Sequence, residues 1–390
     1  MLLVISGCHA MVHAYSTLMP WVYPVALSEL HFSVVALGIM VGVSSLAGGF
    51  LQLGAGALTR YVRRHTVIGW GAILMGGCGI VTATATTFGQ FFLGNLGRSV
   101  VSSTQHPLGN SLLSDIYDRS RRGMAIAGHV VGGNLGTVVL TPAGALLVGV
   151  WGWRPTVLAL TVPAVLAGLV LLLSVRERLA APRETSAVRD LLVAGRLVLR
   201  DRNLAAVFAA SLVAAGGRGL GVVILVIPLY LKRDLQLHDP YATGLYTILL
   251  VGSVVGPLIG GRLSDRAGRR PVLLLVFAAS ALSTAVLALS PAAGLLLPLS
   301  ILAMGLVVYT ESPLLQAALA DAAPVAQRDA VFSLYFAVAF GVGALWAAGI
   351  GALLDRIGYS AVFAIMVLSY LLAGACVLGM REPARGRVRR

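Results

Sequence analysis

Twelve runs of mostly apolar residues take up nearly the whole chain, with edges near 2–26, 33–58, 66–86, 90–115, 123–149, 155–175, 204–231, 241–261, 271–290, 293–319, 330–353 and 360–380. Each is close to the ~20 residues that a helix needs to cross a hydrocarbon core. Little sequence is left over for a soluble domain, and 58% hydrophobic against 11% charged residues agrees with that. In hydrocarbon every backbone N–H and C=O must find a partner within the chain, which turns such runs into helices. The expectation is an all-α membrane protein with twelve transmembrane helices.

The net charge of +14 raises the question of nucleic acid, but the placement of the charge answers it. Of the 29 Lys and Arg, 23 fall in residues 60–65, 119–122, 176–202, 262–270, 328 and 381–390. Those segments all lie on one side if both termini are cytoplasmic, and short basic loops stay on that side. The charge therefore orients the chain in a bacterial-type inner (plasma) membrane and favours its anionic inner leaflet; no nucleic-acid partner is expected. Cys8, Cys78 and Cys376 sit inside apolar runs, far apart, and read as packing residues rather than disulfides. The first run has no basic segment before it and continues past residue 20, unlike a cleaved signal. Residues 176–202 form the long polar stretch, with helical periodicity from about 186 to 199. They divide the chain into bundles 1–175 and 203–380, followed by a basic cytoplasmic tail, 381–390.

One polar turn is distinctive: Gly261-Arg-Leu-Ser-Asp265-Arg266-Ala-Gly268-Arg269-Arg270. The pattern G-x-L-x-D-R-x-G-R-R resembles the signature loop of the major facilitator superfamily, between the eighth and ninth helices. That resemblance implies two pseudo-symmetric six-helix bundles and a transporter working by alternating access, with Gly261, Asp265, Arg266, Gly268, Arg269 and Arg270 as gating residues. It also implies that Asp265 reaches the start of the fifth helix, near Arg122 and Gly123, where a carboxylate meets the positive end of a helix dipole. The first half has a degraded copy, Gly56-Ala-Leu-Thr-Arg60-Tyr-Val-Arg63-Arg64-His65, an offset of 205 residues. Arg60 replaces the aspartate there; it is expected either to pair with Asp329 or Asp321 or to serve only as topogenic charge.

The same offset places His13 on Arg218 and His106 on Glu311. Charged groups inside a span are expensive and are functional candidates by default. Those found here are His9, His13, Arg98, His106, Arg218 and Glu311. His9 and His13 share one helical face, four residues apart, with Tyr15 just beyond. Three readings of this pair stay open: hydrogen-bonded packing, proton coupling near neutral pH, and metal or haem ligation. The last lacks further ligands, His106 being the other mid-membrane histidine recognised, so no metal and no cofactor are expected. Arg98 is read equally as a structural ion pair or a binding group. Gln105-His106-Pro107 marks a helix interruption at about mid-depth.

The stretch 97–154, with His106-Pro107, Arg122-Gly123 and Gly132-Gly133-Asn134-Leu-Gly136, resembles the fosmidomycin-resistance branch of the superfamily. Leu108 departs from it, standing where that branch usually has an acidic residue. Substrate contacts are expected from His13, Tyr15, Arg98, Gln105, His106, Asn134, Arg218 and Tyr309, and proton coupling from Glu311, His9, His13 and His106. Glu311 and Arg218 are expected to pair. Two arginines against one carboxylate favour a small organic anion or an acidic amphiphile as substrate.

The function expected is proton-coupled export of such a compound by a monomer in the bilayer; uptake of an organic anion or metabolite is the alternative. A phosphate-binding Gly-Lys is absent, because Lys232 follows Leu231. A non-transporting receptor lacks a ligand domain, and an intramembrane enzyme lacks a nucleophile–base set. The chain is not expected to be an enzyme.

Overall fold

A computed structural model describes residues 1–177 and 187–382; most of the tail (383–390) and the middle of the linker (178–186) lie outside the described residues. The chain is helical throughout. Its helices are α1 (Leu2–Glu29), α2 (Val34–Leu58), α3 (Arg64–Ala83), α4 (Phe88–Ser102), α5 (Gln105–Ile116), α6 (Arg119–Trp151), α7 (Trp153–Ser174), α8 (Ala187–Arg200), α9 (Arg202–Ala214), α10 (Ile224–Leu229), α11 (Asp239–Ala267), α12 (Arg269–Ala288), α13 (Leu296–Val308), α14 (Glu311–Ala322) and α15 (Arg328–Leu378). Polar residues at the run edges start several of them. Ser33 accepts from the Ala36 amide, Thr87 from Gln90, and Asp201 from Asn203 and Leu204, each satisfying an end that would otherwise lack a partner.

Among the described residues, eleven helices are long and apolar enough to cross a membrane, one fewer than the runs suggest. The exception is the run 90–115, which carries Asn95, Arg98, Gln105, His106 and Asn110 and also breaks at Ser103–Thr104 into α4 and α5. Pro107 explains the break: its ring has no N–H to give to Ser103, four residues back, and crowds that carbonyl. A second interruption was not anticipated. The run 204–231 leaves α-helix after Ala214, makes a tight 3₁₀ turn through Ala215–Gly217, passes through extended Arg218, and resumes as a wide π turn over Gly219–Val223. The long α15 turns sharply at Gly358, whose φ of 75° lies in the left-handed region.

The chain forms two compact units. Unit 1 holds 1–116, 128–195 and 324–341; unit 2 holds 117–127, 196–323 and 342–390. In unit 1, α3 packs on α7 and α4, and α1 packs on α7. Its core joins Tyr15, Leu18, Met19 and Val22 of α1 to Met75 of α3, Phe91 of α4 and Trp153 and Val157 of α7. In unit 2, α11 packs on α13 and α12. Large apolar side chains such as Leu3, Phe50, Leu173 and Leu282 point outward in both units, as a lipid-facing surface requires.

Candidate functional site

Two polar clusters and two charged networks hold nearly all of the candidate residues. The first cluster is in unit 1. His9 and His13 project from one face of α1, and their rings meet at 4.7 Å between centroids. The break before α5 brings His106 to 4.8 Å from His9 and 5.9 Å from His13. A fourth imidazole, His129 of α6, stacks on His9 at 4.3 Å. The sequence reading missed it and so undercounted the buried histidines. His129 lies ten residues past the start of a helix, about 15 Å at 1.5 Å per residue, well below the basic turn that drew attention there. It adds a buried titratable group on the fifth run, 123–149, to those found on the other runs.

The other first-half candidates are placed differently. Tyr15 is buried in the apolar core, with its hydroxyl 3.2 Å from Thr161 Oγ1. Gln105 donates to the Ile5 carbonyl at 3.2 Å and ties α5 to α1. Asn134 is buried on α6. Arg98 donates to Ser16 Oγ at 3.5 Å and forms no ion pair among the described residues.

The second cluster is in unit 2, at the helix break. Arg218 Nε donates to Glu311 Oε1 at 3.1 Å, and Nη2 donates to the Ser211 carbonyl and hydroxyl at 2.8 and 2.9 Å. Glu311 is fully buried at the first position of α14, just past an interruption at Tyr309–Thr310. Its Oε2 makes no hydrogen bond among the described residues. Tyr309 is buried, and a side chain at Gly219 would run into its ring. Tyr370 donates to the Gly217 carbonyl. The break at Tyr309–Thr310 lies 206 residues after the one at Ser103–Thr104, so the two halves interrupt corresponding helices; His106 is the second residue after its interruption and Glu311 the first after its own.

The charged networks obey the same repeat. In unit 2, Arg269 Nη1 donates to Asp265 Oδ1 at 2.6 Å and Nε donates to Asp321 Oδ2 at 2.9 Å, while Arg122 also pairs with Asp321. In unit 1, Arg64 Nη1 donates to Asp115 Oδ2 at 2.7 Å and to Asp329 Oδ1 at 3.3 Å, while Arg328 also pairs with Asp115. Arg64, Asp115 and Arg122 thus correspond to Arg269, Asp321 and Arg328 at offsets of 205 or 206.

What differs is the aspartate. Both oxygens of Asp265 accept main-chain amides, Gly123 and Met124, each at 2.8 Å. Gly261 lets the backbone come this close, since a Cβ there would stand 2.8 Å from the Gly123 carbonyl oxygen. Gly268 closes the turn with φ 105°. Arg270 donates through its amide and side chain to Glu382 and the Leu378 carbonyl, and Arg266 ends α11. In the first half, Arg60 pairs with Asp190 on α8 at 2.5 Å, not with Asp329 or Asp321 as expected. Asp329 goes to Arg64 and Ser111. Arg64 is four residues further along, the position from which its counterpart Arg269 also reaches two carboxylates.

These observations define a class: an integral membrane protein of spanning helices, with a doubled sequence and ionisable groups buried at helix interruptions. Over residues 4–237 and 207–390 the sequence matches the Major Facilitator Superfamily, and the chain belongs to that family. It is 24% identical over 365 residues to the uncharacterized MFS-type transporter YfnC of Bacillus subtilis (strain 168), covering 92% of this chain and 87% of that protein. It is 32% identical over 187 residues to the class D tetracycline resistance protein of Salmonella ordonez, covering 47% of this chain and about half, 46%, of that one. The fold matches that of the proton:xylose symporter XylE with a TM-score of 0.79, at 13% identity, over 96% of this chain and 94% of that one. The chain is an MFS transporter.

Proposed function

We propose that the protein exports a small organic compound, anionic or amphiphilic, in exchange for protons, by alternating access. The observation behind this reading is the Arg218–Glu311 pair: a fully buried carboxylate with one oxygen held by an arginine at a helix interruption. Burying two charges costs several kcal/mol each, so the pair is sensitive to anything that neutralises one of them. A proton on Glu311 releases Arg218 and its loss restores the pair, so the proton switches Arg218 between two states, the element that proton coupling needs.

Arg98 and Arg218 are the positive groups offered to an acidic substrate, with Tyr309 beside the second. His9, His13 and His106 are secondary proton carriers in this reading, and Asp265 and its arginines gate the cytoplasmic side. The chain acts as a monomer in a bacterial-type inner membrane. It has twelve spans in bundles 1–175 and 203–380, a cytoplasmic linker at 176–202, and both termini in the cytoplasm. In this reading the branch is the fosmidomycin-resistance one, supported by the resemblance of the His106-Pro107 and Gly132-Gly133-Asn134 elements, and the matched stretch of the tetracycline resistance protein favours export over uptake.

The test is proton movement into or out of proteoliposomes on addition of organic anions and drugs, comparing wild type with Glu311→Gln. Flux that disappears in the variant is expected, and its sign separates export from uptake. Flux that persists moves the proton to the histidines. Binding without flux for any compound overturns coupled transport.

A further inference from the structure

The imidazole cluster of unit 1 has features that neither packing nor substrate contact requires. His9 is 2% exposed, and its Nδ1 lies 2.9 Å from the carbonyl oxygen of His129. A carbonyl can only accept, so Nδ1 carries the hydrogen and Nε2 of the neutral ring presents a lone pair. That Nε2 is buried and makes no hydrogen bond. His13 Nδ1 lies 3.3 Å from Thr137 Oγ1, a hydroxyl that can donate or accept, so this contact holds the ring without fixing its tautomer. Helix α6 thus holds both rings by Nδ1. An imidazole whose one nitrogen donates to a carbonyl while the other is left as a free base is oriented as metal-ligating histidines are.

The third ring is in reach. One ligand nitrogen from each of His9, His13 and His106 falls within 4.8 Å of the other two. In a tetrahedral site with metal–nitrogen bonds of about 2.05 Å, ligand nitrogens stand about 3.3 Å apart, so the widest pair closes by about 1.5 Å, within reach of ring rotation. The wall is shaped for the rings. A Cβ at Gly133 would stand 2.8 Å from His9 Cε1 and 2.9 Å from His13 Nε2, and one at Gly109 would stand 2.9 Å from His129 Nε2. Left as packing alone, the cluster buries ring nitrogens without partners: Nε2 of His9 and both nitrogens of His129. Each such group is destabilising when left buried and unpaired.

We propose that His9, His13 and His106 bind one transition-metal cation of the zinc class, with His129 stacked behind His9 and a fourth position open. Imidazole donors suit Zn²⁺, Co²⁺, Ni²⁺ and Cu²⁺ and disfavour Mg²⁺ and Ca²⁺. The site is built from residues of unit 1 alone and does not rest on the transport reading.

The test uses the tag-free full-length protein in lipid nanodiscs, titrated with Co²⁺ and then with competing Zn²⁺. One Co²⁺ per chain with the strong visible absorption of four-coordinate nitrogen ligation is expected, displaced by Zn²⁺. His13→Gln and His106→Gln should each weaken binding by more than the ~10–100-fold that loss of an outer partner costs. His238→Gln, at an exposed position, should leave it unchanged. Zinc-edge X-ray absorption of the wild type checks the donors without any variant. A shell of three imidazoles supports the site; an all-oxygen shell, weak octahedral-type absorption, or binding that survives both substitutions overturns it.

Discussion

Replacing Asp265 by Asn isolates one contact in the unit 2 network. In the native protein Oδ1 accepts from the Gly123 amide at 2.8 Å and from Arg269 at 2.6 Å, and Oδ2 accepts from the Met124 amide at 2.8 Å. The side chain is 7% exposed, so water offers little compensation. Asparagine keeps one acceptor and turns the other into a donor, which then faces a donor whichever way the amide is flipped. One charged hydrogen bond is worth about 1.5–3 kcal/mol. Losing one outright and the charge on another comes to about 3 kcal/mol. Arg269 stays anchored by Asp321, so the loss is confined to the start of α6. At 1.4 kcal/mol per tenfold, about 3 kcal/mol is roughly a 100-fold change in the open fraction. Hydrogen–deuterium exchange over residues 119–127 reads it directly: about 100-fold faster exchange at Gly123 and Met124, with the rest of α6 little changed. If Asp265 acts as a gate, turnover slows while substrate affinity holds within about twofold, since 1.4 kcal/mol would be needed for a tenfold shift. Unchanged exchange at Gly123 and Met124 would refute the reasoning, and a large loss of affinity would refute the gating role.

Other substitutions test the remaining contacts. Arg64→Ala strips Asp115, Asp329 and Glu177 of a shared partner; it should destabilise the purified protein by on the order of 3–5 kcal/mol in chemical unfolding. The exposed neighbour Arg63→Ala should stay within about 0.5 kcal/mol. Arg60→Ala removes the ion pair to the buried carboxylate of Asp190, and should speed amide exchange in α8 while sparing Gly123 and Met124. Equal effects at both places would mean that the first-half loop does the work of Asp265 after all.

Much of the site was legible because distance in sequence carried it. The pairing of Arg218 with Glu311 came from two buried charges in spans matched by a repeat, and the contact of Asp265 with the start of α6 came from a loop pattern retained in full. His129 was lost for a simple reason: counting depth from a basic turn undervalues a residue ten positions inside a helix, and nothing local marks which way its ring points. Arg60 was misassigned because Asp190, Asp321 and Asp329 are all plausible partners on paper. Reach decides among them, and the linker helix happens to carry its carboxylate to Arg60 first. Tyr15 and Gln105 looked like substrate contacts because they neighbour His13 and His106 in sequence; their hydroxyl and amide are taken by Thr161 and Ile5.

The sequence by itself determined that the chain is a set of membrane helices and which family loop it carries. A backbone in hydrocarbon must satisfy its own hydrogen bonds, so helices follow from apolar length alone. Only the tertiary structure decided that the seventh run unwinds at Arg218 and that four imidazoles from α1, α5 and α6 meet in one place. Those outcomes depend on side-chain direction and on the close approach of helices 100 residues or more apart, and no local pattern encodes either.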